Sequence, residues 1–144
     1  MIVKSKRMKM LTYTEDKIFT SEQVQELFLS VNWISGQYPD HLYQALMHSS
    51  TVLTVWDGKR LVGLTRVLDD TAILAQIHYV LVHPDYQGQG IAGQMIEYIK
   101  EKYKTFLYVE GMPEDRNNVP FYEKHGFHVM KNGAALQICN AIQK

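Results

Sequence analysis

With 144 residues the chain has the size of one domain, long enough to bury one sizeable core. A hydrophobic share of 46% and a charged share of 21% exclude intrinsic disorder, and fifteen basic against fifteen acidic residues leave no overall field to draw nucleic acid or an anionic membrane. The charged start does not read as a secretory signal, no stretch approaches the ~20 apolar residues of a membrane span, and a single cysteine, Cys139, excludes an intrachain disulfide or a thiolate metal cluster; a metal site is not expected, and cytoplasm is the default compartment.

The elements follow in chain order. Lys4, Lys6, Arg7 and Lys9 form a local basic excess, readable as a nucleic-acid arm or, as is more usual at a terminus, as a solvated leader. A first strand is expected at 10–14. A helix follows, capped by Thr20 or Ser21, with Val24, Leu27, Phe28 and Val31 on one face. Pro39 opens a short helix carrying Leu42, Ala45 and Leu46. Residues 52–56, the Asp57-Gly58 turn and residues 61–68 read as a hairpin. The branched run 72–82 is the expected central strand, ended by Pro84. A helix then runs from Gly88 to about Tyr103 with Ile91, Met95, Tyr98 and Ile99 as its stripe. Residues 106–109 read as a strand and 118–125 as a helix closed by Gly126. Strands at 127–130 and 135–139, joined through Asn132-Gly133, complete the order β-α-α-β-β-β-α-β-α-β-β. No repeat or linker divides it, so one domain over 1–144 is expected, of the α/β (α+β) class.

The densest chemical signal is Val80-Leu81-Val82-His83-Pro84-Asp85-Tyr86-Gln87-Gly88-Gln89-Gly90-Ile91-Ala92-Gly93, a glycine-rich turn between a strand and a helix. Glycine lets backbone approach a ligand, and a helix's first turn offers unpaired N–H groups and partial positive charge to an anion. A Walker loop needs Gly-Lys followed by Ser or Thr, which is absent. Gly88, Gly90 and Gly93 match a dinucleotide fingerprint, with Glu110 about 20 residues onward. Only residues 94–144 follow it, however, too few for a second nucleotide-binding half. A plain turn without a ligand is the remaining alternative.

A third use of such a turn is acyl transfer. The segment resembles the GNAT superfamily of N-acetyltransferases, whose signature of Arg or Gln, two residues, Gly, one residue, then Gly or Ala is met by Gln87, Gly90 and Ala92. A second stretch, Val119-Pro120-Phe121-Tyr122-Glu123-Lys124-His125-Gly126-Phe127, resembles the family's other segment, a helix bearing a tyrosine before a Gly-Phe pair. The two occur in the family's order, with room for one helix and one strand between them. The resemblance covers most of 52–130. It implies a mixed, mostly antiparallel sheet of about six to seven strands flanked by about four helices. It also implies acetyl-coenzyme A as donor, with Gln87, Gly88, Gln89, Gly90, Ile91, Ala92 and Gly93 cradling the pyrophosphate. A backbone N–H near Leu81 or Val82 would polarise the acetyl carbonyl. Asn118 is the nearby candidate for the asparagine that often contacts the cofactor, although Asp115 occupies the matching position.

The chemistry assigns Tyr122 a task by the same resemblance. A phenol of pKa about 10 can protonate a departing thiolate; the alternative is a core or rim tyrosine. The attacking amine must also lose a proton. His78, on the central strand where family members place a base, should share a face with Gln76 and Val80, and an unperturbed imidazole near 6.5 suits that work. A hydrogen-bonded core histidine is the alternative, and Glu110 or water the other base. His83, before Pro84, reads as structural. The acceptor is expected to be a small-molecule primary amine, with protein or peptide amines and a catalytically weak acyl-coenzyme-A-binding module as alternatives. Trp33, Tyr38, Tyr43 and Trp56 could line an aromatic pocket or simply fill the core. Homodimers are frequent in families that resemble this one.

Overall fold

Asp57 and Gly58 turn the chain as their residue types favour: Gly58 takes φ +59, and two strands pair across it. The structure is a computed structural model that describes residues 2–4 and 10–141. Its elements are β1 (Ile2–Lys4), β2 (Met10–Thr14), α1 (Ser21–Ser30), α2 (Pro39–Met47), β3 (Thr51–Asp57), β4 (Arg60–Asp69), β5 (Leu74–Val82), α3 (Ile91–Lys102), β6 (Tyr108–Gly111) and α4 (Val119–Lys124). Of the basic excess, Lys6, Arg7 and Lys9 lie outside the described residues. The chain divides into two units, residues 1–111 with the sheet and α1–α3, and residues 112–144 with α4.

In the first unit the strands lie in the order β1-β2-β3-β4-β5-β6. Every neighbouring pair is antiparallel except β5 and β6, which are parallel because α3 carries the chain back across the sheet between them. The inner strands are apolar on both faces, which explains their near-continuous hydrophobic runs. One face, with Val52, Trp56, Leu61, Leu64 and Leu81, packs on Val24, Leu27 and Phe28 of α1 and Leu42 and Leu46 of α2. The other, with Leu53, Val55, Val62 and Val82, packs on Ile91 and Met95 of α3.

Local signals place these helices. Thr20 caps α1 in a reciprocal box: its hydroxyl accepts the Gln23 N–H at 3.1 Å, and the Gln23 side-chain oxygen accepts the Thr20 N–H at 2.8 Å. Gly63 of β4 sets how closely α3 docks. A Cβ there would meet Ile91 Cγ2 and Val55 Cγ2 at 3.2 Å each.

The expected six to seven strands need correction. Five of the seven strands read from the sequence form, and the two placed at 127–130 and 135–139 do not. Residues 131 and 132 do turn, the Gly133 N–H donating to the Met130 carbonyl at 3.1 Å, yet the flanking residues make no ladder, and Leu136 and Ile138 are 93% and 89% exposed. Alternating apolar residues confer a tendency, but a strand exists only where a partner's backbone meets it. The three-residue β1, not foreseen, pairs instead at the opposite edge of the sheet. Boundaries also move. β5 starts at Leu74, not at residue 72, because the Asp70 carboxylate accepts the N–H groups of Ala72, Ile73 and Leu74 at 3.0, 2.7 and 3.0 Å and bends the approach. β6 runs from Tyr108 to Gly111, two residues beyond the expected span.

Candidate active site

The glycine turn is built from the end of β5 outward. After Val82, Pro84–Tyr86 forms a short 3-10 turn, and the buried Tyr86 hydroxyl donates to the Asp57 carboxylate at the β3–β4 turn. Arg60 crosses the Tyr86 ring at 5.4 Å and pairs with Asp85 at 3.4 Å, while the Asp85 N–H donates to His83 Nδ1 at 3.1 Å. His83 therefore braces the turn. The Gln87 side chain donates to the Val82 carbonyl at 3.0 Å, tying the turn back to the strand that feeds it.

Gly88 (φ +79) and Gly90 (φ +83, ψ 9) are left-handed, a conformation that costs other residues about 1–2 kcal/mol. Nothing lies within 4 Å of where a Cβ would stand on either, so the glycines are needed for the bend, and space remains beside them. Gly90 caps α3 without a side-chain hydrogen bond, and the first intrahelical bond runs from the Gln94 N–H to the Gly90 carbonyl at 3.0 Å. The N–H groups of Ile91, Ala92 and Gly93 precede that bond and are the helix's orphan donors. Gln89 is 9% exposed, and neither polar atom of its carboxamide has a partner. Such a group costs roughly 1–3 kcal/mol unless something bonds it. Free amides, positive dipole and unpartnered carboxamide together suit an oxygen-rich anion such as a diphosphate.

β5 changes character along its length. Leu74 to Ile77 pair with Tyr108 to Gly111 of β6 on one side, and Ala75 to Ile77 pair with β4 on the other. From His78 onward, among the described residues, only β4 pairs, so backbone groups near Leu81 and Val82 on the other edge are outside any ladder. The change falls at a bulge. Thr65 pairs with Val80 and Arg66 with His78, leaving Tyr79 as the extra residue at φ +68. The Tyr79 hydroxyl shares a 2.6 Å hydrogen bond with Ser35, and its ring meets Phe28 edge-on at 4.8 Å.

The bulge also revises the expected facing. His78 and Tyr79 stack at 4.1 Å, and Tyr79 packs on the α1 cluster, whereas Val80 packs on the α3 side. One extra residue reverses the alternation, so His78 does not share a face with Val80. His78 is exposed, unlike a core histidine. Glu110 lies opposite Gln76 in the β5–β6 register, two positions along β5 from His78. Of the aromatic candidates, Trp56 is core, with Nε1 donating to Thr54 at 2.8 Å, and Trp33 and Tyr43 pack against the same cluster. Tyr38 stands before α2, its ring 6.2 Å from His41.

In the second unit Pro120 occupies the first turn of α4, which fits its missing N–H, and Gly126 at φ +91 ends it. The Tyr122 ring sits between Phe121 and Phe127 at 5.1 and 5.6 Å, and the Tyr122 carbonyl accepts the Phe127 N–H at 3.1 Å. Burial pushes the Tyr122 phenol above its usual pKa. Asn118 is the residue before α4 and makes no side-chain cap; the Asp115 carboxylate accepts the Asn117 N–H at 2.9 Å instead. Sequence reasoning missed Gly63, Arg66 and the role of Tyr79. Only Gly63 left a trace, as a glycine inside an apolar strand.

Comparison with known proteins agrees with this geometry. The model of the acetyltransferase (GNAT) family matches residues 16–127. A GNAT-family acetyltransferase from Streptococcus pneumoniae superposes with a TM-score of 0.78 at 28% identity, covering 91% of this chain and 98% of that one. A probable acetyltransferase of unknown function from methicillin-resistant Staphylococcus aureus gives a TM-score of 0.80 at 26% identity over 90% and 99%. An uncharacterized N-acetyltransferase, ycf52, of Porphyra purpurea is 28% identical over 110 residues, 73% of this chain but 63% of that protein, so this chain spans less than two thirds of that relative. The chain belongs to the acetyltransferase (GNAT) family.

Proposed function

We propose that the chain is an acetyl-coenzyme-A-dependent N-acetyltransferase whose acceptor is the primary amine of a small molecule. The observation that carries this reading is the uncapped start of α3, reached through two left-handed glycines directly after the half of β5 that β6 leaves unpaired. Gln87 to Gly93 hold the diphosphate of the donor through backbone N–H groups, and Asn118 is a further contact. The bound donor supplies a thioester.

This chain's own groups do the rest. An alkyl ammonium is neutral in only about one part per thousand at pH 7, a cost of about 4 kcal/mol. His78, exposed on the open face of β5, takes that proton. A backbone N–H near Leu81 or Val82 donates to the carbonyl oxygen as charge develops there. Tyr122 Oη, a phenol protonated at neutral pH, gives its proton to the departing sulfur.

Equilibrium titration with acetyl-coenzyme A and thiol release with a panel of amines test the reading together. Tyr122→Phe is expected to retain donor affinity and lose about 100-fold in kcat. Absence of binding sinks the proposal outright. Binding without thiol release from any amine reduces it to a cofactor-binding module. A larger thermal stabilisation by NAD than by acetyl-coenzyme A would favour the dinucleotide reading.

A further inference from the structure

Arg66 lies beside this site and is accounted for by nothing in it. The residue stands on β4, directly across the ladder from His78, on the face that Leu64 shares with the α1 cluster. It is half-buried, and its Nε is out of solvent without a hydrogen-bond partner. Among the described residues its guanidinium forms no ion pair, and the Tyr79 ring lies 5.4 Å from the guanidinium carbon. Burial holds the guanidinium below its ordinary pKa, though it remains a cation at any physiological pH. A partly desolvated cation without a counter-charge carries a cost, and proteins ordinarily pair such groups.

The surroundings indicate what completes the pair. The neighbouring positions on the same face, Leu68, Gln76 and His78, are exposed, so α1 and α2 leave this part of the sheet open. Tyr79, turned onto the α1 cluster at the bulge, and Trp33 beside it at 5.8 Å wall one side. His78 is one strand from Arg66 and Glu110 two, at about 4.8 Å per strand. Arg66, His78 and Glu110 thus stand on three successive strands of the sheet, a cation beside two groups able to accept a proton.

We propose that the acceptor is an amine that also carries an oxyanion, a carboxylate or phosphate a few bonds from its nitrogen, and that Arg66 binds this anion while the nitrogen lies toward His78. The inference rests on the N-acetyltransferase reading and narrows its substrate class. Guanidinium suits both anions because its planar donors bind either as a fork.

The test uses amines matched except for the anion: phenylalanine against phenethylamine, 4-aminobutanoate against butylamine, and phosphoethanolamine against ethanolamine. Thiol release is measured for the wild type, Arg66→Gln and Arg66→Lys. At least one anionic amine should exceed its neutral match by roughly tenfold or more in kcat/KM, the worth of one charged hydrogen-bonded contact. Arg66→Gln should abolish that advantage through KM, with neutral-amine kinetics and acetyl-coenzyme A affinity unchanged, and Arg66→Lys should retain part of it. The carboxylate and phosphate pairs tell the two anions apart. No anionic advantage in any pair overturns the proposal, as does an Arg66→Gln loss shared equally by neutral amines or by donor affinity. Titration of the same amines onto the full chain without donor separates the two readings. An Arg66-dependent preference for the anion with no thiol release keeps the anion site and sinks the acetyltransferase; thiol release from neutral amines alone does the reverse.

Discussion

The two halves of β5 differ in ways that separate scaffold from site. Its first half, Leu74 to Ile77, is paired with β6 throughout and from Ala75 with β4 as well, and Ala75 and Ile77 are buried. Its second half has one partner, a left-handed tyrosine at its start and a left-handed glycine turn beyond its end. Such a conformation in a non-glycine residue costs about 1–3 kcal/mol and persists only when its surroundings hold it. Here Ser35, Phe28 and Trp33 do so. Regular pairing builds stability, and its interruption frees backbone and side chains to meet ligands.

Four substitutions sharpen this contrast, in order of expected effect. Gly90→Val should weaken acetyl-coenzyme A by about 100-fold or more, because a β-branched residue resists the left-handed bend that aims the α3 amides. Titration measures it, and near-native affinity would mean those amides are not the cradle. His78→Ala should lower kcat by about 10–100-fold and flatten the acid limb of its pH profile, with the melting temperature retained. An unchanged profile would remove His78 as base. Gly63→Val should cost about 1–3 kcal/mol in denaturant unfolding, since β4 must yield to Ile91 and Val55.

The smallest effect belongs to the paired half. The N–H groups of Leu74, Ala72 and Ile73 hold the Asp70 carboxyl below its usual pKa. A lowered folded-state pKa contributes stability that is present above the unfolded value of about 3.9 and lost as pH falls through the folded one. Asp70→Asn should therefore reduce the dependence of unfolding on pH below about 4 and leave donor binding intact. A binding loss as large as that of Gly90→Val would erase the distinction between the halves.

The motif-bearing segments were legible because their signals are local. Thr20, Pro39, Asp57-Gly58 and Gly126 each act through one turn of backbone, and each lies where the sequence puts it; the start of α3 moves from the expected Gly88 to Ile91, after the Gly90 cap. The His78 facing was misread because a bulge has no signature of its own in a run of branched and aromatic residues. Residues 127–139 were misread because alternation carries no information about an available partner.

By itself the sequence determined the helices to within a few residues of their ends, the hairpin, the glycine turn and the family, since these depend on residue types a few positions apart. Only tertiary structure decided the register of β4 on β5, the turn of Tyr79 onto the α1 cluster, the placing of Arg66 across from His78, and the end of β6 pairing at Ile77. Those features arise where distant strands must share one sheet while α1 and α3 pack on its faces. No single segment encodes such a compromise.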